Sequence, residues 1–150
     1  MAERPLVLDE FIPYRLSVTS NLVSDTIART YRSLFGLSIP EWRLIAVVAE
    51  AGGLSQGAIG QRTRMDKVTV SRAAIALVDR GLLDRGDNPG DRRSHLLTLT
   101  DSGRELYAAI APKALDLERR IFRGFTRAEV DGFTDMLRRI DAVTLGLDEA

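Results

Sequence analysis

The chain has 150 residues, 45% of them apolar and 28% charged, a composition that predicts one soluble folded domain over residues 1–150. It contains no cysteine, which excludes disulfide bonds, thiolate metal sites and thiol-based redox sensing. No apolar run approaches the ~18 residues needed to span a membrane, and the N-terminal stretch with Glu3 does not resemble a signal peptide. We therefore expect a cytoplasmic protein without a membrane partner.

The first third of the chain is predicted to form two helices. Apolar residues at helical spacing indicate a first helical region from about Asp9 to Phe35, which Pro13 kinks or restarts. Gly36 is placed to end this region. Ser38 is placed to cap a second helix, which is predicted to continue until Gly52.

The stretch from Leu54 to Arg93 is the most informative part of the sequence. Ser55 is placed to cap a short helix and Asp66 a longer one, which Gly81 ends. Two helices joined by such a tight turn are typical of a helix-turn-helix, whose second helix lies in the major groove of DNA. The packing face of that helix is predicted to comprise Val70, Ala74, Leu77 and Val78. Its exposed face is predicted to comprise Val68, Thr69, Arg72 and Ala76.

A β-hairpin is predicted to follow the helix-turn-helix. Its strands are expected over residues 82–85 and 94–100, around a charged tip at residues 87–93. A basic hairpin beside a recognition helix can reach a neighbouring minor groove of DNA. This combination points to a DNA-binding protein.

Two further helices are predicted to close the chain. Thr100 or Asp101 is expected to cap a helix that reaches about Gly124, and Thr126 to open a last helix with Glu129 in a capping box. The helices at both ends of the chain are longer than the small motif between them needs. Their apolar stripes predict a dimer interface, whose twofold symmetry would match palindromic DNA.

Net charge is the main objection to DNA binding, because the 21 basic and 21 acidic residues cancel. The distribution is more favourable, since residues 62–93 hold eight basic and five acidic side chains, a local excess of three positive charges. A twofold dimer would double that excess on one face of the DNA. The charge is therefore compatible with DNA binding but does not by itself argue for it.

The order helix, helix, helix-turn-helix, wing, helix, helix resembles the MarR family of winged-helix transcriptional regulators over nearly the whole chain. The local matches are Leu54-Ser55-Gln56, Asp66-Lys67-Val68-Thr69-Val70-Ser71-Arg72, Gly81-Leu82-Leu83, Asp91-Arg92-Arg93-Ser94, Leu97-Thr98-Leu99-Thr100 and Gly103. The resemblance implies a mainly α fold with a small β-wing. It places a winged helix-turn-helix DNA-binding lobe over residues 37–100, flanked by dimerisation helices over residues 8–36 and 101–150.

The resemblance also implies a homodimer that binds a palindromic operator in double-stranded DNA, usually as a repressor. Family members commonly release DNA when a small aromatic or phenolic compound, an antibiotic or an oxidant acts on them, and the lack of cysteine excludes thiol oxidation here. The sequence departs from the usual pattern at two helical glycines, Gly57 and Gly60. It departs again at Thr63-Arg64, where a Leu-Gly pair is common.

The recognition helix supplies most of the candidate DNA contacts. Thr69 and Arg72 are expected to reach base edges, because arginine can bind guanine through O6 and N7, and Val68 can contact a thymine methyl group. Three residues are expected to contact phosphates, namely Lys67, Ser71 and Ser55. The alternatives are a solvated helix face and, for Ser55, a role as a helix cap only.

The hairpin tip supplies a second group of candidates. Arg93 is expected to enter the minor groove, with Asp91 orienting its guanidinium group. Arg92 is expected to contact a phosphate or to form an internal ion pair. The alternative is that Asp91 and Arg92 only stabilise the turn.

Three aromatic residues, Phe11, Tyr14 and Trp42, could line a pocket for a small aromatic ligand, although aromatic residues at helical spacing more often belong to the core. The single histidine, His95, could act as a proton switch or metal ligand, but a structural role at a strand edge is the stronger interpretation because no second ligand is near. We therefore expect no metal and no cofactor.

No Ser-His-Asp set or carboxylate pair can be assembled from the sequence, so we do not expect an enzyme and assign no catalytic residue. The leading prediction is a sequence-specific transcriptional regulator that binds double-stranded DNA as a homodimer. The alternative is a winged-helix protein–protein interaction module without DNA binding, which the neutral net charge and the two helical glycines would favour.

Overall fold

Six α-helices and one β-hairpin make up residues 3–149, the part of the chain that the computed structural model describes. The helices are α1 (Ile12–Phe35), α2 (Ile39–Ala51), α3 (Gln56–Thr63), α4 (Lys67–Asp79), α5 (Asp101–Ile121) and α6 (Arg127–Asp148). The strands are β1 (Leu83–Asp87) and β2 (His95–Leu99), and a 3₁₀ turn, Leu8–Glu10, precedes α1. The predicted mainly α fold with a small β-wing is confirmed.

The ends of the first two helices follow from residues close by in the chain. α1 begins at Ile12, later than predicted, because Pro13 lacks an N–H and is tolerated only in the first turn of a helix. Gly36 ends α1 in the left-handed conformation, with φ 64°. Ser38 and Glu41 form a capping box at α2, in which Ser38 Oγ accepts the N–H of Glu41 at 3.3 Å and Glu41 Oε1 accepts the N–H of Ser38 at 2.9 Å.

A hydrophobic core lies among α2, α3, α4 and the hairpin. Its fully buried side chains include Leu44, Ile45, Val48, Ile59, Val70, Leu77, Leu83 and Leu97. Leu54 pairs with β2, since its N–H donates to the Leu97 carbonyl at 3.0 Å and its carbonyl accepts the Leu97 N–H at 2.8 Å. This pairing fixes the chain immediately before α3 against the hairpin.

The packing face of α4 differs in part from the prediction. Val70, Ala74 and Leu77 are buried as expected. Ala73 is also buried, whereas Val78 is only half-buried. The predicted face did not include Ala73, and Val78 is less buried than the other three, because helical spacing gives angles between residues but not the rotation of a helix against its neighbours.

The two strands pair in antiparallel fashion, with Leu83 opposite Leu99 and Asp87 opposite His95. β1 therefore runs two residues beyond its predicted end at residue 85. On β2, Leu97 is fully buried and Leu99 half-buried. The hairpin is thus anchored in the core by Leu83 and Leu97, and the rest of each strand is exposed or half-buried.

The chain divides into two compact units at Pro112, within α5. The first unit holds α1 to α4, the hairpin and the first half of α5. The second holds the rest of α5 and all of α6. The assignment of residues 37–100 to DNA binding, and of residues 8–36 and 101–150 to dimerisation, stays a prediction.

The last two helices have the predicted caps. Thr100 caps α5, since its Oγ1 accepts the N–H of Gly103 at 3.0 Å, and α5 ends at Ile121, before the predicted end near residue 124. At α6, Thr126 Oγ1 accepts the N–H of Glu129 at 3.1 Å and Glu129 Oε1 accepts the N–H of Thr126 at 2.9 Å. These bonds to Thr126 lower the pKa of the Glu129 carboxyl below its usual range.

α6 carries no buried residue, although it is rich in apolar side chains. Its exposed large apolar residues are Phe133, Met136, Ile140, Val143, Leu145 and Leu147. Within residues 3–149, no helix is both long and apolar enough to cross a membrane.

Candidate nucleic-acid interface

The turn between α3 and α4 sets the orientation of the second helix. Arg64 stands there in the left-handed conformation, with φ 61° and ψ 17°, and is the only residue other than glycine with a positive φ in the described chain. Its N–H donates to the Gly60 carbonyl at 2.8 Å and closes α3. Thr63-Arg64 thus forms the tight turn that a Leu-Gly pair would form with less backbone strain.

The two glycines of α3 do not prevent the helix from forming. Each is expected to cost about 1 kcal/mol relative to alanine. A groove of about 740 Å³ lies between α3 and α4 and is lined by both Gly57 and Gly60. A Cβ added at Gly60 would lie 3.4 Å from the Met65 carbonyl oxygen, so the helix-turn-helix is closely packed at this point.

Asp66 caps α4 as predicted. Its Oδ1 accepts the N–H of Thr69 at 2.7 Å. This backbone hydrogen bond, reinforced by further bonding to Thr69, lowers the pKa of the Asp66 carboxyl below its ordinary value of 3.8. Lys67 and Val68 follow in the first turn of α4, and both are exposed.

The exposed face of α4 is rotated slightly from the one predicted. Val68 and Arg72 are exposed, whereas Thr69 and Ala76 are half-buried. Ile75, which the sequence reasoning did not include, is 50% exposed. Its position seven residues after Val68, on nearly the same side of the helix, is a signal in the sequence that could have identified it.

Arg72 borders a groove of about 330 Å³ between α4 and the start of α2. Glu41 lines the same groove, but its Oε1 already accepts the N–H of Ser38 in the capping box. In the described part of the chain Arg72 forms no ion pair. Its guanidinium group therefore has its donors available for another molecule.

The three predicted phosphate contacts lie near the ends of α3 and α4. Ser55 caps α3, since its Oγ accepts the N–H of Ala58 at 3.2 Å, and this bond leaves the hydroxyl hydrogen free to be donated. Lys67 is exposed at the first position of α4, and Ser71 is half-buried one turn later. The N-terminal end of a helix also favours anions through its backbone N–H groups and dipole.

Hydrogen bonds within the loop order the hairpin tip. Asn88 Nδ2 donates to Ser94 Oγ at 2.9 Å across the loop, and Asn88 Oδ1 accepts the N–H of Gly90 at 3.1 Å. The Ser94 N–H also donates to the Asp91 carbonyl at 3.2 Å. The tip is thus a folded turn whose side chains project from a defined backbone.

Asp91 has a different partner from the one expected. Its Oδ1 accepts the backbone N–H of Arg93 at 3.0 Å, and it is not ion-paired with the Arg93 guanidinium group. The carboxylate therefore stabilises the turn, which was the alternative interpretation. Arg92 and Arg93 are exposed, and within residues 3–149 neither forms an ion pair.

His95 is exposed at the start of β2, opposite Asp87. Between residues 3 and 149, no group of three or more histidine, cysteine, aspartate or glutamate side chains is arranged to hold a metal ion. The chemistry available at this face is therefore that of arginine, lysine and hydroxyl donors.

Comparison with known proteins agrees with this arrangement. A sequence model of the MarR family matches residues 35–94. An uncharacterized protein of Mycobacterium tuberculosis is 32% identical over 99 residues, which cover 66% of this chain and 68% of that protein. A MarR/EmrR family transcriptional regulator from Acinetobacter sp. ADP1 has a similar structure, with a TM-score of 0.86 and 24% identity over 97% of this chain and 100% of that chain. The chain belongs to the MarR family.

This family comprises DNA-binding transcriptional regulators with a winged-helix fold. A second similar structure is that of BpsR from Bordetella bronchiseptica, with a TM-score of 0.84 and 25% identity over 92% of this chain and 98% of that chain. The DNA binding of BpsR is regulated by 6-hydroxynicotinic acid. In this MarR-family chain, α3 and α4 are therefore the helix-turn-helix, and β1 and β2 are the wing.

The three aromatic residues predicted to line a ligand pocket do not stand in one group of stacked rings. Trp42 is half-buried, with its ring centroid 5.4 Å from that of Tyr31 and 5.9 Å from that of Tyr107. Burial raises the pKa of the Tyr31 hydroxyl above its usual value of 10.0. Phe11 and Tyr14, near the start of α1, are both exposed.

Proposed function

We propose that this MarR-family protein is a homodimeric repressor that binds a palindromic site in double-stranded DNA. One observation carries the proposal: α4 and the hairpin tip present arginine side chains that have no ion-pair partner in the described chain. Both belong to the same compact unit. Unpaired arginines on a recognition helix and a wing are suited to base edges and to phosphates.

In the major groove, Arg72 and Thr69 contact base edges. Arg72 binds guanine through two hydrogen bonds, a contact worth about 1–3 kcal/mol of discrimination against other bases. Three residues hold phosphates and set the register of the helix, namely Lys67, Ser71 and Ser55. The exposure of Arg72 and Lys67 and the spare hydroxyl hydrogen of Ser55 support these roles.

At the wing, Arg93 enters the minor groove and Arg92 contacts a phosphate. Asp91 contributes indirectly, because its hydrogen bond to the backbone of Arg93 holds the turn from which both arginines project. A rigid tip loses less conformational entropy on binding than a flexible one would.

The second copy of the chain covers the apolar side chains of α6. Met136 and Val143, for example, are 51% and 66% exposed. A row of such side chains is costly to leave in water and is suited to a twofold interface. In this arrangement residues 8–36 and 101–150 form the dimer, and residues 37–100 form the DNA-binding lobe.

A small aromatic compound controls the release of DNA. BpsR, whose DNA binding responds to 6-hydroxynicotinic acid, supports this part of the proposal by similarity. Trp42 is the aromatic side chain best placed to take part, because it is half-buried within a stack of rings. Phe11 and Tyr14 are exposed and would contribute only if the ligand drew them towards it.

Selection of bound fragments from a random pool of duplex DNA, at near-physiological salt, tests this function. We expect an inverted repeat whose half-sites lie about one helical turn apart. Arg72→Ala should then weaken binding to that repeat by about tenfold or more. Arg4→Ala, which removes an exposed arginine outside both the DNA-binding lobe and the residues proposed to form the dimer, is the control and should bind as the unmodified protein does.

The contrary outcome would be equally informative. If no sequence is enriched and binding disappears as salt rises, the protein does not read DNA sequence. The winged helix would then serve as a protein–protein interaction module, and the exposed face of α4 would be its docking surface.

A further inference from the structure

α4 exposes two large aliphatic side chains beside its polar DNA-facing residues. Val68 is 58% exposed and Ile75 is 50% exposed. They are seven residues apart, which at 100° per residue places them within about 20° of each other around the helix axis. Along the axis they are separated by about 10 Å, at roughly 1.5 Å per residue.

Packing within the chain does not account for this pair. The opposite side of α4 already supplies the core with Val70, Ala74 and Leu77. Branched aliphatic side chains gain little by lying in water, and isoleucine and valine are not the residues that best favour a helix. Between residues 37 and 100, Val68 and Ile75 are the only exposed large apolar side chains, and both lie on one side of the recognition helix. This placement fits an apolar group on the molecule that the helix contacts.

The charges along this face show which part of it meets DNA. Lys67 and Arg72 stand beside and between the two aliphatic side chains, and the carboxylate of Asp66 at the start of α4 is engaged by the Thr69 N–H. At the C-terminal end Asp79 lies on the same side of the helix, and the guanidinium group of Arg80 donates to the carbonyls of Gly36 and Phe35. A phosphate backbone is therefore attracted more strongly to the N-terminal end. The stretch from Lys67 to Ile75 is therefore the part that fits the major groove.

The major groove offers one prominent apolar group on its base edges, the 5-methyl group of thymine. We propose that Val68 and Ile75 are specificity-determining residues that each contact a thymine methyl group in one half-site. This inference rests on the proposed function, because it assumes that α4 lies in the major groove. It adds Ile75 to the proposed base contacts of Arg72 and Thr69, so that these contacts extend further along α4.

The geometry also predicts the spacing of the bases. A separation of about 10 Å corresponds to at most roughly three base-pair steps at 3.4 Å each, because a helix inclined along the groove advances along the DNA axis by less than its own length. Arg72 lies between the two aliphatic residues in the chain, so the guanine that it contacts should lie between the two thymines. Each half-site is thus expected to hold a G·C pair between two A·T pairs that are at most about three steps apart.

Replacing thymine by deoxyuridine in the selected site tests the methyl contact directly, because only the methyl group is lost and base pairing is kept. Each thymine is replaced in turn, in both half-sites, and affinity is measured for the unmodified protein and for Ile75→Ala and Val68→Ala. We expect, in each half-site, two positions at which a single deoxyuridine weakens binding of the unmodified protein about three- to fivefold, the effect of losing one buried methyl group. Ile75→Ala should be insensitive at one of these positions and Val68→Ala at the other.

Leu6→Ala is the control variant, since Leu6 is also exposed, at 67%, and lies before α1, outside the helix-turn-helix and outside the residues proposed to form the dimer. It should keep the sensitivity to deoxyuridine at both positions. Thermal unfolding of Ile75→Ala should stay close to that of the unmodified protein, because half of the residue is already exposed to solvent.

Two results would overturn the inference. One is full affinity of the unmodified protein for sites in which every thymine is replaced. The other is that, at every sensitive position, deoxyuridine lowers the DNA affinity of Ile75→Ala as much as it lowers that of the unmodified protein. Either result is compatible with specific DNA binding, whereas failure to select any site would instead remove the proposed function itself.

Discussion

At the scale of single residues, Arg64 holds the turn between α3 and α4 in a conformation that glycine adopts at lower cost. A left-handed residue with a Cβ is strained by about 1–2 kcal/mol. We expect Arg64→Gly to raise the free energy of unfolding by about 0.5–1 kcal/mol, because part of that gain is lost to the greater flexibility of glycine in the unfolded chain. Urea denaturation measures the change.

Arg64→Ala is the matched control for this substitution. It removes the same guanidinium group but keeps the Cβ, so the backbone strain at φ 61° remains. If Arg64→Ala raises the free energy of unfolding as much as Arg64→Gly does, the removed side chain, and not the backbone conformation, is the source of the effect.

Asp66 gives α4 a pH-dependent cap. Its pKa is lowered in the folded protein by the hydrogen bond from the Thr69 N–H, so its contribution to stability is complete above the unfolded value of 3.8 and is lost as pH falls through the lower folded value. Asp66→Asn keeps a capping oxygen but removes the titration. We expect the stability advantage of the unmodified protein over Asp66→Asn, measured by urea denaturation, to shrink between pH 5 and pH 3 as the carboxylate is protonated. An advantage that grows in this interval would contradict the assignment.

At the scale of elements, Gly103 permits α5 to start against the end of the helix-turn-helix. A Cβ at this position would come within 2.1 Å of the Leu82 carbonyl oxygen and 3.1 Å of its carbonyl carbon. Because backbone cannot move aside cheaply, Gly103→Ala is expected to destabilise the protein by about 1–3 kcal/mol or more. Thermal or urea unfolding would measure this loss.

Gly132→Ala on α6 is the corresponding control, since a Cβ there meets nothing within 4 Å. Alanine favours a helix over glycine by about 1 kcal/mol, so this variant should be at least as stable as the unmodified protein. Equal behaviour of the two alanine variants would show that Gly103 is not needed for close packing.

At the scale of the whole molecule, the apolar face of α6 predicts the oligomeric state. Met136→Glu places a charge among the exposed apolar residues of this helix and should convert a dimer to a monomer, because an unpaired charge is costly in an apolar interface. Analytical ultracentrifugation would show the change in mass, and affinity for an inverted repeat should fall with it. Arg138→Glu, on the opposite side of α6 by helical spacing, should remain dimeric. A dimeric Met136→Glu variant would place the interface elsewhere.

The sequence by itself determined the features that depend on residues three or four positions apart. The caps at Ser38, Ser55, Asp66 and Thr126 were all predicted, since each depends on a hydrogen bond to the first turn of its own helix. Gly36 was predicted to end α1 for a similar reason, because a left-handed terminus favours glycine locally. The order of these signals was enough to identify the fold and its family.

Only the tertiary structure decided the features that join distant parts of the chain or depend on how a helix is turned. Leu54 pairs with Leu97, and Gly103 meets the Leu82 carbonyl, because packing brings together segments that the sequence separates. Ile75 is exposed and Ala73 buried because neighbouring elements fix the rotation of α4, which its own periodicity leaves undetermined. The residues of α4 were therefore readable in advance, but which of them are exposed was set by the core behind the helix.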